Sequence, residues 1–287
     1  AGFSDELAQY LEFEKIGAFV TKSLKHDEWK GNPAPRVAEL DAGMMNSVGL
    51  PGPGVEAWLE KDLPRLLKLT DRVVAAIWGF TVAEFEKAAT MLADAPKEVI
   101  AVEVNVSCPN TDDANKMFAA TPQSTAEVIS ATAGCKRPRW AKLSPAVLNM
   151  VEIAGAAYES GAEAVVLTNT FPGMKIDIEK REYVLGAKSR GGGVSGRAIH
   201  PINVKHVHDV RAAFPDKAII GIGGVSTAED VVEFLMAGAN AVGIGTALFY
   251  DPHIISDIHA QLVSWCAKHN VQSIDELIGV IHDNNGR

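Results

Sequence analysis

Residues 100–111 read IAVEVNVSCPNT, an apolar and β-branched run that ends abruptly in Asn105, Ser107, Cys108 and Asn110. Val102, Val104 and Val106 alternate with Glu103 and Asn105 as a strand would, and the near-continuous apolarity suits a buried parallel strand that Pro109 stops. Two amides, a hydroxyl and a thiol are costly at the end of such a strand, which suggests that they do chemistry. The plainer alternative is a strand end with an Asn-Pro-Asn turn and a small buried cysteine. A second chemical signal is the pair GIGG at 221–224 and GIGTA at 243–247, separated by one helix. Glycine lets backbone N–H groups approach phosphate oxygens closely, so this pair reads as a phosphate site, with tight strand-to-helix turning as the alternative.

The elements that must position these groups alternate along the chain. Strands are expected at 16–20, 72–78, 100–106, 140–143, 164–167, 218–222 and 241–244. Helices are expected from Ser4 to about Leu11, 55–69, 81–93, 124–134, 147–161, 201–214, 226–236, 252–268 and 273–282. Thr81 with Glu84, and Ser226 with Glu229, have the spacing of capping boxes. Residues 25–54 and 171–200 are rich in Pro and Gly and read as long loops, the first holding a candidate binding segment at Asn46–Leu50.

Strands alternating with helices predict a parallel sheet with helical crossovers. Because the seventh strand is the last and the chain opens directly in a helix, the simplest account is a (β/α)8 TIM barrel whose first strand lies upstream of residue 1. The whole of 1–287 is then a single domain. An open doubly wound sheet is disfavoured, since no G-x-G-x-x-G turn follows a strand. In a barrel, Lys22, Asn105, Cys108, Lys142, Asn169 and Thr170 would all face one mouth. A phosphate on the glycine loops with its remainder over Lys142 and Asn105 suggests flavin mononucleotide (FMN) or a sugar phosphate.

Composition narrows the class. The 287 residues are 47% hydrophobic and 22% charged, as in a soluble globular protein, and no apolar run approaches bilayer length. The start AGFSDEL lacks a signal peptide's basic and apolar regions, so a cytoplasmic location is expected. A net charge of −9 disfavours a nucleic-acid footprint. Cys108, Cys135 and Cys266 are too dispersed for a disulfide framework or a thiolate metal site, and no metal is expected. H-E-x-x-H and G-x-S-x-G are both absent, which disfavours zinc and serine-hydrolase chemistry.

Taken together, VTKS at 20–23, GNPAPR at 31–36, NSVGLPGPG at 46–54, NVSCPN at 105–110, AKLSP at 141–145, LTNT at 167–170, GGVSG at 192–196, GIGG and GIGTA resemble the dihydroorotate dehydrogenase family along nearly the whole chain. The resemblance is to the soluble class 1 enzymes, whose catalytic base is cysteine; class 2 carries Ser at the position of Cys108. The segment GMKIDIEKREYVL, 173–185, resembles the NAD-linked branch rather than the fumarate-linked one.

The resemblance implies a flavoprotein of pyrimidine biosynthesis that oxidises dihydroorotate to orotate with FMN. Cys108 would take a proton from the ring carbon next to the carbonyl, while hydride leaves the adjacent carbon. Lys22, Asn46, Ser47, Val48, Gly49, Leu50, Asn105, Asn110, Asn169 and Thr170 would hold the substrate. Lys22, Ser23, Asn105, Lys142, Thr168, Gly196, Gly223, Gly224, Gly245 and Thr246 would hold FMN. The family also implies a homodimer and, in the NAD-linked branch, a separate subunit carrying FAD and an iron-sulfur cluster. Two rival expectations are a related FMN barrel acting on another dihydropyrimidine, which usually shows His where Asn110 stands, and a non-catalytic scaffold that binds a phosphate ligand.

Overall fold

Short, largely apolar strands alternating with amphipathic helices set the architecture. The computed structural model describes residues 2–107, 117–186 and 191–282. The chain opens in turns and forms β1 (Phe19–Val20), β2 (Val37–Leu40), β3 (Gly43–Asn46), α1 (Val55–Ala57), α2 (Leu63–Leu66) and β4 (Val73–Ile77). Next come α3 (Val82–Met91), β5 (Val99–Asn105), α4 (Pro122–Ala131), β6 (Arg139–Lys142), α5 (Met150–Glu159) and β7 (Ala164–Leu167). An excursion follows with β8 (Phe171–Gly173), β9 (Ile176–Asp177), β10 (Glu182–Tyr183) and β11 (Gly192–Ser195). The chain then runs through α6 (His200–Ala213), β12 (Ala218–Ile222), α7 (Ala228–Ala237), β13 (Ala241–Gly243), α8 (Ala247–Tyr250) and α9 (Ile254–Lys268).

The main sheet has seven strands in the order β1-β4-β5-β6-β7-β12-β13, and every pairing is parallel. Spatial order follows chain order with helical crossovers, which is the layout of an α/β barrel. Among the described residues the sheet ends on β1 and β13, and no eighth strand joins them. All five residues of β4 and all four of β7 are buried, as parallel strands covered on both faces require. Trp58, Phe85, Ile129 and Phe234 are among the large side chains that fill the layers between sheet and helices.

The helix boundaries show where local signals were read one step off. The capping box of α7 is Thr227 with Asp230, because the backbone N–H and hydroxyl of Ser226 are themselves spent on the Asp230 carboxylate. Thr121 rather than Ser124 caps α4, with Pro122 in its first turn. Ser4 caps nothing: its hydroxyl donates to the Asp62 carbonyl at 2.7 Å, and the residues after it form turns. Between α1 and α2 a π-helical turn, Trp58–Asp62, interrupts the expected single helix, and among the described residues after α9 only the short 3-10 turn Ile274–Leu277 forms.

Both supposed loops carry strands. β2, β3, β11 and β8 make a second, antiparallel sheet in the order β2-β3-β11-β8, and β9 pairs with β10. Glycine permits that sheet. A Cβ on Gly192 would collide with the carbonyl of Asn46, and one on Gly193 with the side chain of Thr170.

Candidate active site

Three neighbouring strands deliver their C-terminal side chains to one place. The Asn105 amide, at the end of β5, donates to Ser23 Oγ at 3.1 Å, and its carbonyl oxygen accepts from Asn169 Nδ2 at 3.2 Å and Ser107 Oγ at 3.0 Å. Asn169 Nδ2 also lies 2.7 Å from Ser107 Oγ. Asn105 and Ser107 are buried, so these bonds replace the water that their polar atoms lose. Lys142, at the end of β6, pairs with Glu103 at 3.3 Å; the Glu103 side chain is 4% exposed and that of Lys142 21%.

Beside this network lies a cavity of about 480 Å³, within the range for cofactor-sized pockets. Lys142, Thr168, Asn169, Thr170, Gly196, Gly223, Gly224, Gly245 and Thr246 all line it. The glycines shape its floor. Gly223 and Gly224 hold φ of +123° and +75°, and a Cβ on Gly224 would meet His200 Cβ at 2.7 Å and the Gly196 carbonyl at 2.8 Å. A Cβ on Gly245 would meet nothing within 4 Å. Thr168 Oγ1 donates to Asn203 Oδ1 at 2.6 Å, and Thr246 Oγ1 to Ser195 Oγ at 2.8 Å.

The other predicted residues that the structure describes do not line the cavity. Lys22 follows β1 with its ammonium 5.2 Å from the centre of the Phe3 ring. Burial, reinforced by the charge of Arg36 and partly offset by Glu6, holds the Lys22 ammonium below the usual lysine range. Asn46 ends β3 opposite Gly193, which packs on Thr170, so segment 46–50 reaches the strand ends through β11. That segment is tied down: the Ser47 carbonyl accepts from Asn32 Nδ2 at 2.8 Å and the Gly49 carbonyl from Trp29 Nε1 at 3.0 Å. The buried Ser47 hydroxyl has no hydrogen-bond partner among the described residues. Cys108 and Asn110 lie outside the described residues.

Several lining residues had no sequence signal. Glu39 and Asp41, in the supposed first loop, and Arg197 and Tyr250 stand around the cavity, with Tyr250 Oη donating to the Gly43 carbonyl at 2.6 Å. Glu103 did carry a signal that went unused, a lone charge inside an apolar strand, which asks for a buried partner.

Residues 1–265 match the family model for dihydroorotate dehydrogenase. The chain is 40% identical over 281 residues to the dihydroorotate dehydrogenase B (NAD(+)) catalytic subunit of Trichlorobacter lovleyi, covering 98% of this chain and 91% of that one. A protein of Aquifex aeolicus described as a putative dihydroorotate dehydrogenase A (fumarate) is 39% identical, over 98% of this chain and 92% of its own. The crystal structure of the Eimeria tenella dihydroorotate dehydrogenase with ferulenol superposes with a TM-score of 0.75 over 93% of this chain and 80% of that one, at 20% identity, and shows the shared fold. With the glycine-floored cavity, the Asn-Ser-Asn network and a near full-length family match all in one barrel, the chain belongs to the dihydroorotate dehydrogenase family.

Proposed function

We propose that this chain oxidises dihydroorotate to orotate in pyrimidine biosynthesis, with FMN in the cavity over the strand ends. The observation that carries the reading is the buried Asn105-Ser107-Asn169 network opening beside a glycine-floored cavity that also receives Lys142. The residues present fit FMN: the volume is adequate, Gly223 and Gly224 leave room for backbone to approach a phosphate, and Gly245 faces open space. When bound, FMN supplies the hydride acceptor.

In this reading Gly196, Gly223, Gly224, Gly245 and Thr246 hold the phosphate end, while Lys142, Thr168, Ser23 and Asn105 hold the ring end. Lys142 places a fixed positive charge where negative charge develops. Lys22, Asn46–Leu50, Asn105, Asn110, Asn169 and Thr170 orient the pyrimidine and pair with its carboxylate. Cys108, next in the chain after Ser107, takes the proton from the ring carbon beside the carbonyl. A free thiol titrates at about pH 8.5, so its neighbours must favour the thiolate or relay the proton.

The curated relatives named as NAD(+) catalytic subunits support placing this chain in the NAD-linked branch, as the catalytic subunit of an assembly whose second subunit carries FAD and an iron-sulfur cluster. Pairing with a second copy, residence in the cytoplasm and a single FMN-binding domain over 1–287 belong to the same proposal. No helix among the described residues is long and apolar enough to cross a membrane.

The test is the visible spectrum of the purified protein before and after anaerobic mixing with dihydroorotate. A flavin band that bleaches on mixing supports the reading. A colourless folded protein, or a flavin band untouched by dihydroorotate, overturns it. Rapid NAD reduction by the isolated chain would rule out the two-subunit assignment.

A further inference from the structure

Behind the glycine floor of the cavity stands a histidine that neither the sequence signals nor the proposed chemistry uses. His200 opens α6 and is 7% exposed. Its Nδ1 lies 3.2 Å from the carbonyl oxygen of Gly223, and its Nε2 lies 2.8 Å from Glu233 Oε2 and 3.8 Å from Asp230 Oδ1. A carbonyl and a carboxylate both accept, so making both bonds requires a proton on each ring nitrogen, that is, an imidazolium. The edge-on Phe234 ring, with centroids 5.0 Å apart, fixes the plane of the imidazole. Asn203, three residues along the same helix and fully buried, packs against Gly223 and accepts from Thr168. One face of α6 is therefore built around the Gly223–Gly224 peptide.

We propose that His200 is a positioning residue for a phosphate: its imidazolium holds the Gly223 carbonyl inward, and so sets the N–H of Gly224 toward the cavity while adding positive charge behind it. In a trans peptide C=O and N–H point in opposite directions, so anchoring one aims the other. The groups facing the ring are Glu233 and Asp230 from α7 and Arg197 from the turn before α6; the Arg197 guanidinium lies on Ser226 Oγ and 4.0 Å from Asp230. Burial alone would raise the Asp230 carboxyl, but the Ser226 backbone N–H and the His200 charge bring it below the usual range. With that carboxylate ionised, replacing His200 by a neutral side chain leaves the phosphate end more negative and removes one anchor of the peptide.

The inference rests on the phosphate of FMN lying on the glycine loops. The test measures dissociation constants of FMN and of riboflavin, which lacks the phosphate, for the flavin-free full chain by flavin fluorescence. At about pH 7.5, where a phosphate monoester is almost fully doubly charged, the preference for FMN over riboflavin should be roughly fivefold lower in His200→Gln than in the parent protein, the scale of one nearby charge. His200→Lys, which supplies a charge at the same place, should recover part of that preference. Glu233→Gln, at a half-exposed position, removes the carboxylate that holds the ring and should weaken the preference by a smaller factor, which keeps the test open if a His200 variant misfolds. A parent-like preference in His200→Gln, or an unchanged one in Glu233→Gln, would overturn the role of His200. If Gly245→Ala and Gly224→Val also keep the full preference, the phosphate placement itself is wrong; if they lose it while His200→Gln keeps the parent preference, only His200 is misassigned.

Discussion

Glu103 on β5 and Lys142 on β6 form an ion pair across the floor of the site, 3.3 Å apart, with the carboxylate much the more deeply buried of the two. The two partners are therefore not equivalent. Lys142→Met strands a buried carboxylate and should cost about 3 kcal/mol of stability in the flavin-free protein. Glu103→Gln leaves an ammonium with access to the cavity and should cost less than half as much. Urea unfolding of both variants compares them directly, and equal losses would mean that the pair is not the source of either.

Lys22 offers a pH signature. Burial and Arg36 disfavour its charged form, so it begins to lose its proton at lower pH than an ordinary lysine. For a base with a depressed value, the folded state binds the proton less tightly than the unfolded one. Its stability penalty is thus present at low pH and relieved as pH rises through the folded value. Anion binding runs the other way: orotate affinity should decline as pH rises through the same titration. Lys22→Arg should flatten that decline, because a guanidinium stays charged. Equilibrium titration of orotate between about pH 7 and 10 reads the difference.

How much of this was legible in advance differs by element. β4, β5, β7 and β12 were readable because each is a short run rich in Val or Ile, and that local signal survives folding. The second sheet was not. β11 begins Gly-Gly, and its pairing depends on Asn46 and Thr170, distant positions that no local pattern announces. The same reason hid the partners within the site. Asn105 and Asn169 stand out as polar strand ends, but that they share a hydrogen bond is a matter of strand order, since 64 positions separate them. Glu103 was visible as a misplaced charge, whereas Arg197 and Tyr250 look like ordinary surface residues until the barrel brings them to the rim.

Two glycines of the cavity floor should differ in what their loss does to stability. Gly245→Ala meets no neighbour, so the flavin-free protein should keep its stability within about 0.5 kcal/mol while FMN binds roughly tenfold more weakly, as expected for one methyl group placed inside a ligand pocket. Gly224→Val demands a left-handed backbone from a β-branched residue and presses on His200 and Gly196. It should lower stability as well as flavin content. Thermal melts beside flavin titrations separate the two effects.

Cys108→Ala should leave a yellow protein, since the substitution spares the glycine loops and Lys142. On anaerobic mixing with dihydroorotate its flavin band should bleach at least about a hundredfold more slowly than the parent's. Cys108→Ser should retain part of the rate with its pH dependence moved upward, because a hydroxyl gives up its proton less readily than a thiol. Bleaching near the parent rate in Cys108→Ala would assign the proton transfer to another group.

The brevity of the terminal strands of the main sheet bears on how the molecule behaves when concentrated. A sheet border is a row of unspent amides and carbonyls that invites a strand from another molecule, and long flat borders nucleate fibrils. Here β1 is two residues long and β13 three, and Lys22 follows the first closely. A border that short offers an incoming chain only one or two rungs, too few to offset the entropy of capturing it. Among the described residues, growth by border-to-border stacking along β1 and β13 is therefore suppressed by the geometry of the sheet itself.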